Sequence, residues 1–232
     1  MLETTSWVDS FQLYLFDLDG LLVNTEELHY RAYVEMCRQR GFTLPWSFSE
    51  YFQIAQLDSE APKRYIYNQF PELERQEPDW HQLYKEKKGA YLNLLEKEGA
   101  PLMSGTAEML TLLEQKNKKR CVVTHSQHEL VEKLKKKQPI LNTIPYWLTR
   151  EDYERPKPDP SGYIKAIKLY AEPDDSIVGF EDSLRGMNAL SQSQAVAIYI
   201  NPFDERTKEY FRKEGYSVYN SFFDLMKQEK DV

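Results

Sequence analysis

FQLYLFDLDG, residues Phe11 to Gly20, is the stretch from which the rest of the chain is read. Its first six residues are short, apolar and β-prone, and they run straight into Asp17 and Gly20, which predicts a buried strand over Phe11 to Phe16 ending in a polar loop. Asp17 and Asp19 flank a single residue there. A strand-like backbone would turn both side chains to the same side, so two carboxylates are expected to converge. A carboxylate facing phosphorus repels its charge, and a divalent cation makes the approach feasible; oxygen ligands point to Mg²⁺. Taken alone, D-x-D-G also suits an ordinary turn. An EF-hand is disfavoured, because the twelfth position counted from Asp17 is Leu28 rather than a glutamate.

Outward from this strand, a helix is expected from about Glu26 to Arg40, closed by Gly41. From Pro45 to Glu98 the chain reads as helical, with Ser47 and Glu50 spaced as a capping box and Asp79 placed to start a long helix ending before Gly99. After EGAPLMSG, strand and helix signals alternate. A helix over Thr106 to Gln115 precedes the strand CVVT, and a helix after Ser126 precedes a short strand at Tyr146 to Leu148. A helix opened by Asp159 and Pro160, the strand SIVGF, a helix from Ser183 and the strand AVAIYI follow. This alternation predicts an α/β fold, a parallel sheet between helices. The helical stretch interrupts it after the first strand, so residues 1–24 and 99–232 are expected to form the α/β core and residues 25–98 an inserted helical cap.

Three later segments carry candidate chemistry. In CVVTHS, Thr124 ends a strand, and Ser126, with Glu129 three residues on, can cap the next helix; a hydroxyl and free amides at that point make a phosphate cradle. In RPKPDP, two prolines hold Lys157 on a stiff extended loop, which suits a fixed positive charge. In GFEDSLRG, Glu181 and Asp182 sit just past a strand, at the start of a helix. Each also has an ordinary reading as a cap or surface residue. Their combination decides the matter, because four loops at or near the carboxyl ends of parallel strands would bring acids, a hydroxyl and a lysine to the place where open α/β sheets bind ligands.

In this order, D-x-D-G, strand-end Thr, Lys, then E-D-S, the chain resembles the haloacid dehalogenase superfamily of phosphotransferases from about Phe11 to Tyr219. The place of the helical insertion resembles the subgroup with an α-helical cap, which includes β-phosphoglucomutase and many sugar-phosphate and phosphoglycolate phosphatases. The resemblance implies a Rossmann-like core and an aspartyl-phosphate mechanism. Asp17 would attack phosphorus, and Asp19 would act as acid and then base. Asp17, the Asp19 carbonyl and Asp182 would hold Mg²⁺, with Glu181 supporting the metal. Thr124, Lys157 and amides around His125 would grip the phosphoryl group. The cap would exclude water and read the leaving group.

The chain departs from its relatives in several places. Asn24 stands where they often have Asp, and Arg155 and Pro156 precede the lysine where Gly is usual. His125 is larger than the residue often found there. The cap stretch FQIAQLDSEAPKRY lacks the Gly-rich, arginine-bearing loop of β-phosphoglucomutase, and Gln127 replaces a mutase lysine. His29 matches a hinge-region histidine of the mutase. His29, Ser126, Lys63 and Arg64 are the candidates for substrate specificity. A phosphatase acting on a small phosphorylated metabolite is therefore expected first and a sugar-phosphate mutase second. A catalytically silent relative, or a receiver-like module phosphorylated on Asp17, belongs to a different class; receivers lack the D-x-D-G with a large insertion and the late E-D-S.

Bulk properties agree with an enzyme of small metabolites. The 232 residues are 41% hydrophobic and 29% charged, the balance of a globular protein. A net charge of −7 opposes nonspecific binding to nucleic acid or anionic lipid. No apolar run nears the roughly 18 residues that span a bilayer, and the first ten residues have no secretory pattern, so a cytoplasmic location is expected; a monomer is the default, since the cap can close over the site without a second subunit. Cys37 and Cys121 have no metal or redox spacing and are expected as buried thiols. The basic runs Lys116 to Arg120 and Lys133 to Lys137 are expected as solvated faces.

Overall fold

The computed structural model describes residues 6–58 and 60–227. The terminal residues of the expected core, 1–5 and 228–232, lie outside the described residues. The chain divides into two compact units, one reaching to Asn24 and resuming at Pro101, the other Thr25–Ala100. The second boundary falls after Ala100 rather than after Glu98. Backbone pairing accounts for the shift: Asn24 N donates to Pro101 O at 2.8 Å, Met103 N donates to Leu22 O at 2.9 Å, and Val23 bridges Leu102, so the first unit holds the returning chain from Pro101.

In the first unit, α1 (Ser6–Asp9) leads into β1 (Leu13–Phe16). After the second unit come α7 (Thr106–Gln115), β2 (Lys119–Val123), α8 (His128–Lys137), β3 (Tyr146–Leu148), α9 (Ser161–Tyr170), β4 (Ile177–Glu181), α10 (Leu184–Leu190) and β5 (Val196–Ile200). The unit closes with α11 (Glu205–Lys213), β6 (Ser217–Tyr219) and α12 (Phe222–Lys227). The expected α/β architecture is present, as a six-stranded sheet, all parallel, in the order β3-β2-β1-β4-β5-β6. The sixth strand, SVY, has too few apolar residues to signal itself in the sequence.

β1 occupies the centre because all four of its residues are buried, which only a strand covered on both faces can satisfy. Leu13 and Leu15 enter a cluster with Val123, Tyr163, Met187 and Leu190. Tyr14 and Phe16 point to the opposite face. There Phe180 stacks on both, with Phe16 at 5.2 Å and 19°, and Phe222 of α12 packs edge-on against Phe180. The chain steps from β1 to β2 and β3 on one side, then crosses to β4 on the other. The order reverses at β1, and the crevice of a doubly wound sheet opens at such a reversal, at the carboxyl ends of the strands.

The second unit comprises α2 (Glu26–Gln39), α3 (Phe48–Ala55), α4 (Ala61–Gln69), α5 (Pro71–Gln76) and α6 (Trp80–Glu98). The capping box at Ser47 and Glu50 is formed, and Asp79 Oδ1 accepts from His81 N at 2.9 Å to start α6. Tyr33, Met36, Tyr51, Ile66, Tyr67 and Leu83 form its core. No helix among the described residues is long and apolar enough to cross a membrane.

Because Leu15 is fully buried at the centre of the sheet, its truncation leaves a cavity that neighbours on two strands cannot fill. Leu15→Ala should lower the stability of the first unit by about 2–5 kcal/mol, measured as a reduced urea midpoint with unchanged slope.

Candidate active site

The crevice at the reversal point collects the expected residues through four loops. The first begins where β1 stops. Asp17 N still donates to Phe180 O at 3.1 Å, and the chain then folds over, with Leu22 and Val23 N both donating to Leu18 O (3.0 and 3.1 Å). Gly20 adopts φ +84°, and a Cβ there would overlap Asp182 Oδ2. Both the backbone conformation and the approach of the Asp182 loop therefore demand glycine at the end of D-x-D-G.

Asp17 and Asp19 engage different protein partners, Asp17 taking Lys157 and Asp19 the second loop. β1 ends at Phe16, so the period of two does not carry through Asp19. The Asp19 carboxylate meets the second loop, where Oδ2 accepts from Ser126 Oγ at 2.6 Å and from Thr124 Oγ1 at 3.3 Å. Thr124 is fully buried, and its Oγ1 also accepts from Ser126 N at 2.9 Å. Ser126 thus does not cap the helix that follows. α8 starts at His128 behind Gln127, with no side-chain cap at its N-terminus.

Lys157, on the third loop, is 7% exposed. Its ammonium donates to Asp17 Oδ1, to Glu181 Oε1 at 2.6 Å and to Val123 O at 2.9 Å, which uses all three N–H bonds. Burial alone pushes its pKa down, but Asp17 and Glu181 outweigh that and hold it above the ordinary lysine value, so the cation persists. The lysine's backbone N–H donates to His125 Nε2 at 2.7 Å, and the His125 ring lies 6.3 Å from that of Tyr153. His125 is pushed down to about 4, by burial first and then by Lys157 and Arg185.

Glu181, last residue of β4, is fully buried. Its Oε1 takes Lys157 and the Tyr163 hydroxyl (2.5 Å), and its Oε2 takes Asp182 N (3.2 Å) and Ser183 Oγ (3.4 Å). Burial raises its pKa, and Lys157 opposes that shift. Gly186, in the first turn of α10, stands against this carboxylate, where a Cβ would overlap Oε2. Asp182 is 5% exposed, and its carbonyl accepts from Asn201 Nδ2 at 2.7 Å. Asn201 Oδ1 in turn accepts from Phe203 N and Asp204 N (2.7 and 3.2 Å).

Ligand oxygens of Asp17, Glu181 and Asp182 lie within 4.8 Å of one another, the one such cluster among the described residues. Three carboxylates against one lysine leave an excess of buried negative charge, and an all-oxygen donor set of this size fits a hard divalent cation such as Mg²⁺. Glu181 already has protein donors on both oxygens.

Tyr163, Gly186 and Asn201 belong to this site but were not singled out from the sequence. Only Asn201 carries a legible signal, as a polar residue directly after the strand beside β4.

The other candidates lie in the second unit. His29 Nδ1 is 2.7 Å from Lys87 Nζ, and its ring stacks on Tyr91 at 4.3 Å. Burial, then Lys87, holds His29 well below its ordinary pKa. Lys63 lies 3.9 Å from Glu60, and Arg64 makes a two-point contact with Asp58 at 3.0 and 2.7 Å. Both cations are thus engaged with acids of their own unit. Lys87 sits on the buried stripe of α6, among Leu83, Ala90, Tyr91 and Leu95, a position that helical spacing makes legible. Burial pushes it down to about 8 despite the opposing pull of Glu26, and the rings of Tyr33, Tyr84 and Tyr91 lie 4.9–5.6 Å from its ammonium.

Three comparisons bear on this site. A family model described as haloacid dehalogenase-like hydrolase matches residues 14–200. The validoxylamine A 7'-phosphate phosphatase of Streptomyces hygroscopicus subsp. limoneus is 28% identical, over 79% of this chain and 82% of its own. A phosphorylated carbohydrates phosphatase of Thermotoga maritima is 23% identical, over 80% of this chain and 82% of its own. Among solved structures, CbbY from Rhodobacter sphaeroides in complex with phosphate aligns with a TM-score of 0.71 at 23% identity, covering 96% of this chain and 100% of that one.

The desolvation that lowers Lys87 from 10.5 to about 8 costs about 3 kcal/mol, and three nearby rings return about 1.5–3 kcal/mol of it at ~0.5–1 kcal/mol each. Lys87→Met keeps the stem but removes both the charge and the partner of His29 Nδ1, so at pH 7 the relief of desolvation and the lost hydrogen bond, about 1–3 kcal/mol, should leave stability within about 1 kcal/mol of the wild type. Since the unfolded state binds the extra proton only between the two pKa values, the wild type should gain on the variant as pH rises from 8 to 10.5, as followed by chemical denaturation.

Proposed function

The chain belongs to the haloacid dehalogenase-like hydrolases, and from that membership we propose that it is a Mg²⁺-dependent phosphatase that hydrolyses a small phosphate monoester through a phosphorylated Asp17. The observation that carries this reading is the buried Lys157, which joins Asp17 to Glu181 beside Asp182 at the sheet reversal. A structural ion pair does not need a third buried carboxylate pressed against it.

An Asp17 carboxylate oxygen attacks phosphorus while the bond from phosphorus to the leaving oxygen breaks, and the leaving oxygen takes a proton from Asp19. Water then attacks phosphorus of the aspartyl phosphate and gives a proton to Asp19, the bond from phosphorus to the Asp17 oxygen breaks to restore the carboxylate, and inorganic phosphate leaves. The hydroxyls of Ser126 and Thr124 on Asp19 Oδ2 hold the carboxyl in one orientation for both transfers. Lys157 and Thr124 stabilise charge on the transferring group. Asp17, Asp182 and the Asp19 carbonyl would hold Mg²⁺, which when bound neutralises the charge between carboxylate and phosphate. Glu181 acts chiefly by fixing Lys157, through the contacts described above.

The printed names of two relatives, a validoxylamine phosphate phosphatase and a phosphorylated carbohydrates phosphatase, support a polyhydroxylated, carbohydrate-like phosphate as substrate. A cytoplasmic monomer with no nucleic-acid partner completes the reading.

The test is phosphate release from a panel of sugar phosphates and p-nitrophenyl phosphate, with and without Mg²⁺. Asp17→Asn and chelation should each abolish release, and Asp19→Asn should lower kcat by about 10²–10⁴-fold. Release that survives Asp17→Asn or chelation would overturn the mechanism. Conversion of β-glucose 1-phosphate to glucose 6-phosphate without net phosphate release would assign a mutase instead.

A further inference from the structure

We propose that His125 is a positioning residue that fixes the loop presenting Lys157 to the phosphoryl group, an inference that deepens the phosphatase reading and rests on it. Pro156 and Pro158 have no backbone N–H, so Lys157 supplies the only main-chain donor of the three-residue segment. That donor is spent on a side chain from a different loop, His125 Nε2 at 2.7 Å. Because the Lys157 ammonium already uses its three N–H bonds on Val123 O, Asp17 and Glu181, the lysine is held at both ends, by its head group and by its main chain.

The acceptor is itself held. Thr124, next to His125, donates its N–H to Leu148 O at 2.9 Å, Ser126 O accepts from Arg150 N at 3.1 Å, and the Tyr153 hydroxyl donates to Thr124 O at 2.7 Å. The Tyr153 ring then lies alongside the imidazole at an interplanar angle of 29°. His125 therefore couples the loop after β2, which carries the phosphate-binding hydroxyl, to the loop that carries the phosphate-binding cation.

The chemistry requires an unprotonated Nε2, hence a neutral ring with its proton on Nδ1. Burial and the cations Lys157 and Arg185 favour that neutral form. A small side chain at position 125 could not reach the Lys157 amide, which would then lose its protein partner.

Three variants test the tether. His125→Ala removes the acceptor, His125→Gln offers an amide oxygen at similar reach, and Lys157→Ala removes the residue being positioned. With p-nitrophenyl phosphate and Mg²⁺, His125→Ala should lower kcat by about 10–100-fold, the scale of a displaced catalytic group, and His125→Gln should recover most of it. In a Lys157→Ala background, His125→Ala should change kcat by less than about 3-fold, because the two act as one unit. Additive losses in that cycle, or a His125→Ala enzyme with the activity of the wild type, would overturn the proposal.

A second readout does not need turnover. In amide hydrogen exchange by NMR, the Lys157 amide should be protected in the wild type and in His125→Gln, and exchange fast in His125→Ala. An amide still protected in His125→Ala overturns the tether. An inert wild type with the expected exchange pattern would overturn the phosphatase reading while leaving the positioning contact standing.

Discussion

The structure depends on holding three carboxylates and one ammonium in a space from which water is largely excluded. Asp17, Glu181 and Asp182 come from two adjacent parallel strands, and Lys157 reaches them from a proline-stiffened loop. Desolvation opposes every charge in the set, so the arrangement persists only because each group is aimed at another. The central strand, the glycine turn after it, the hydroxyl-bound Asp19 and the asparagine under Asp182 all serve that aim.

Two close approaches show how little slack the site has. Gly20 lets the first loop press against Asp182, and Gly186 lets the first turn of α10 press against Glu181. In both places a methyl group would displace a carboxylate oxygen rather than fill a void. The close packing makes the separation of duties between the acids intelligible. Glu181 is committed to Lys157, Tyr163 and its own loop, and Asp19 to Ser126 and Thr124.

Much of this was legible in the sequence. The apolar run before Asp17, the Gly41 and Gly99 helix ends and the Ser47 capping box are local patterns, and local hydrogen bonding and burial enforce them. The alternation of strand and helix signals after Pro101 required a parallel sheet, and the order of the four motifs pointed to one crevice. Less legible were the places where a side chain's fate depends on a remote partner. Ser126 has the spacing of a helix cap but bonds Asp19, more than a hundred residues earlier in the chain. Lys87 resembles its neighbours Lys85 and Lys88, and helical spacing alone separates it from them. Tyr163 and Gly186 look like ordinary helix residues until the Glu181 carboxylate is beside them.

What the sequence by itself determined was the set of elements and the chemistry of the site: strand, turn, helix, and the acids, lysine and hydroxyl at strand ends. Backbone propensity and the period of apolar residues act over a few residues, so they survive translation into a one-dimensional reading. What only the tertiary structure decided was the pairing of those groups. The Asp19 carboxylate meets the hydroxyls of Ser126 and Thr124, and the His125 ring meets the Lys157 amide. Both choices follow from contacts between loops that lie far apart in the chain, where distance in space rather than spacing in sequence sets which donor meets which acceptor.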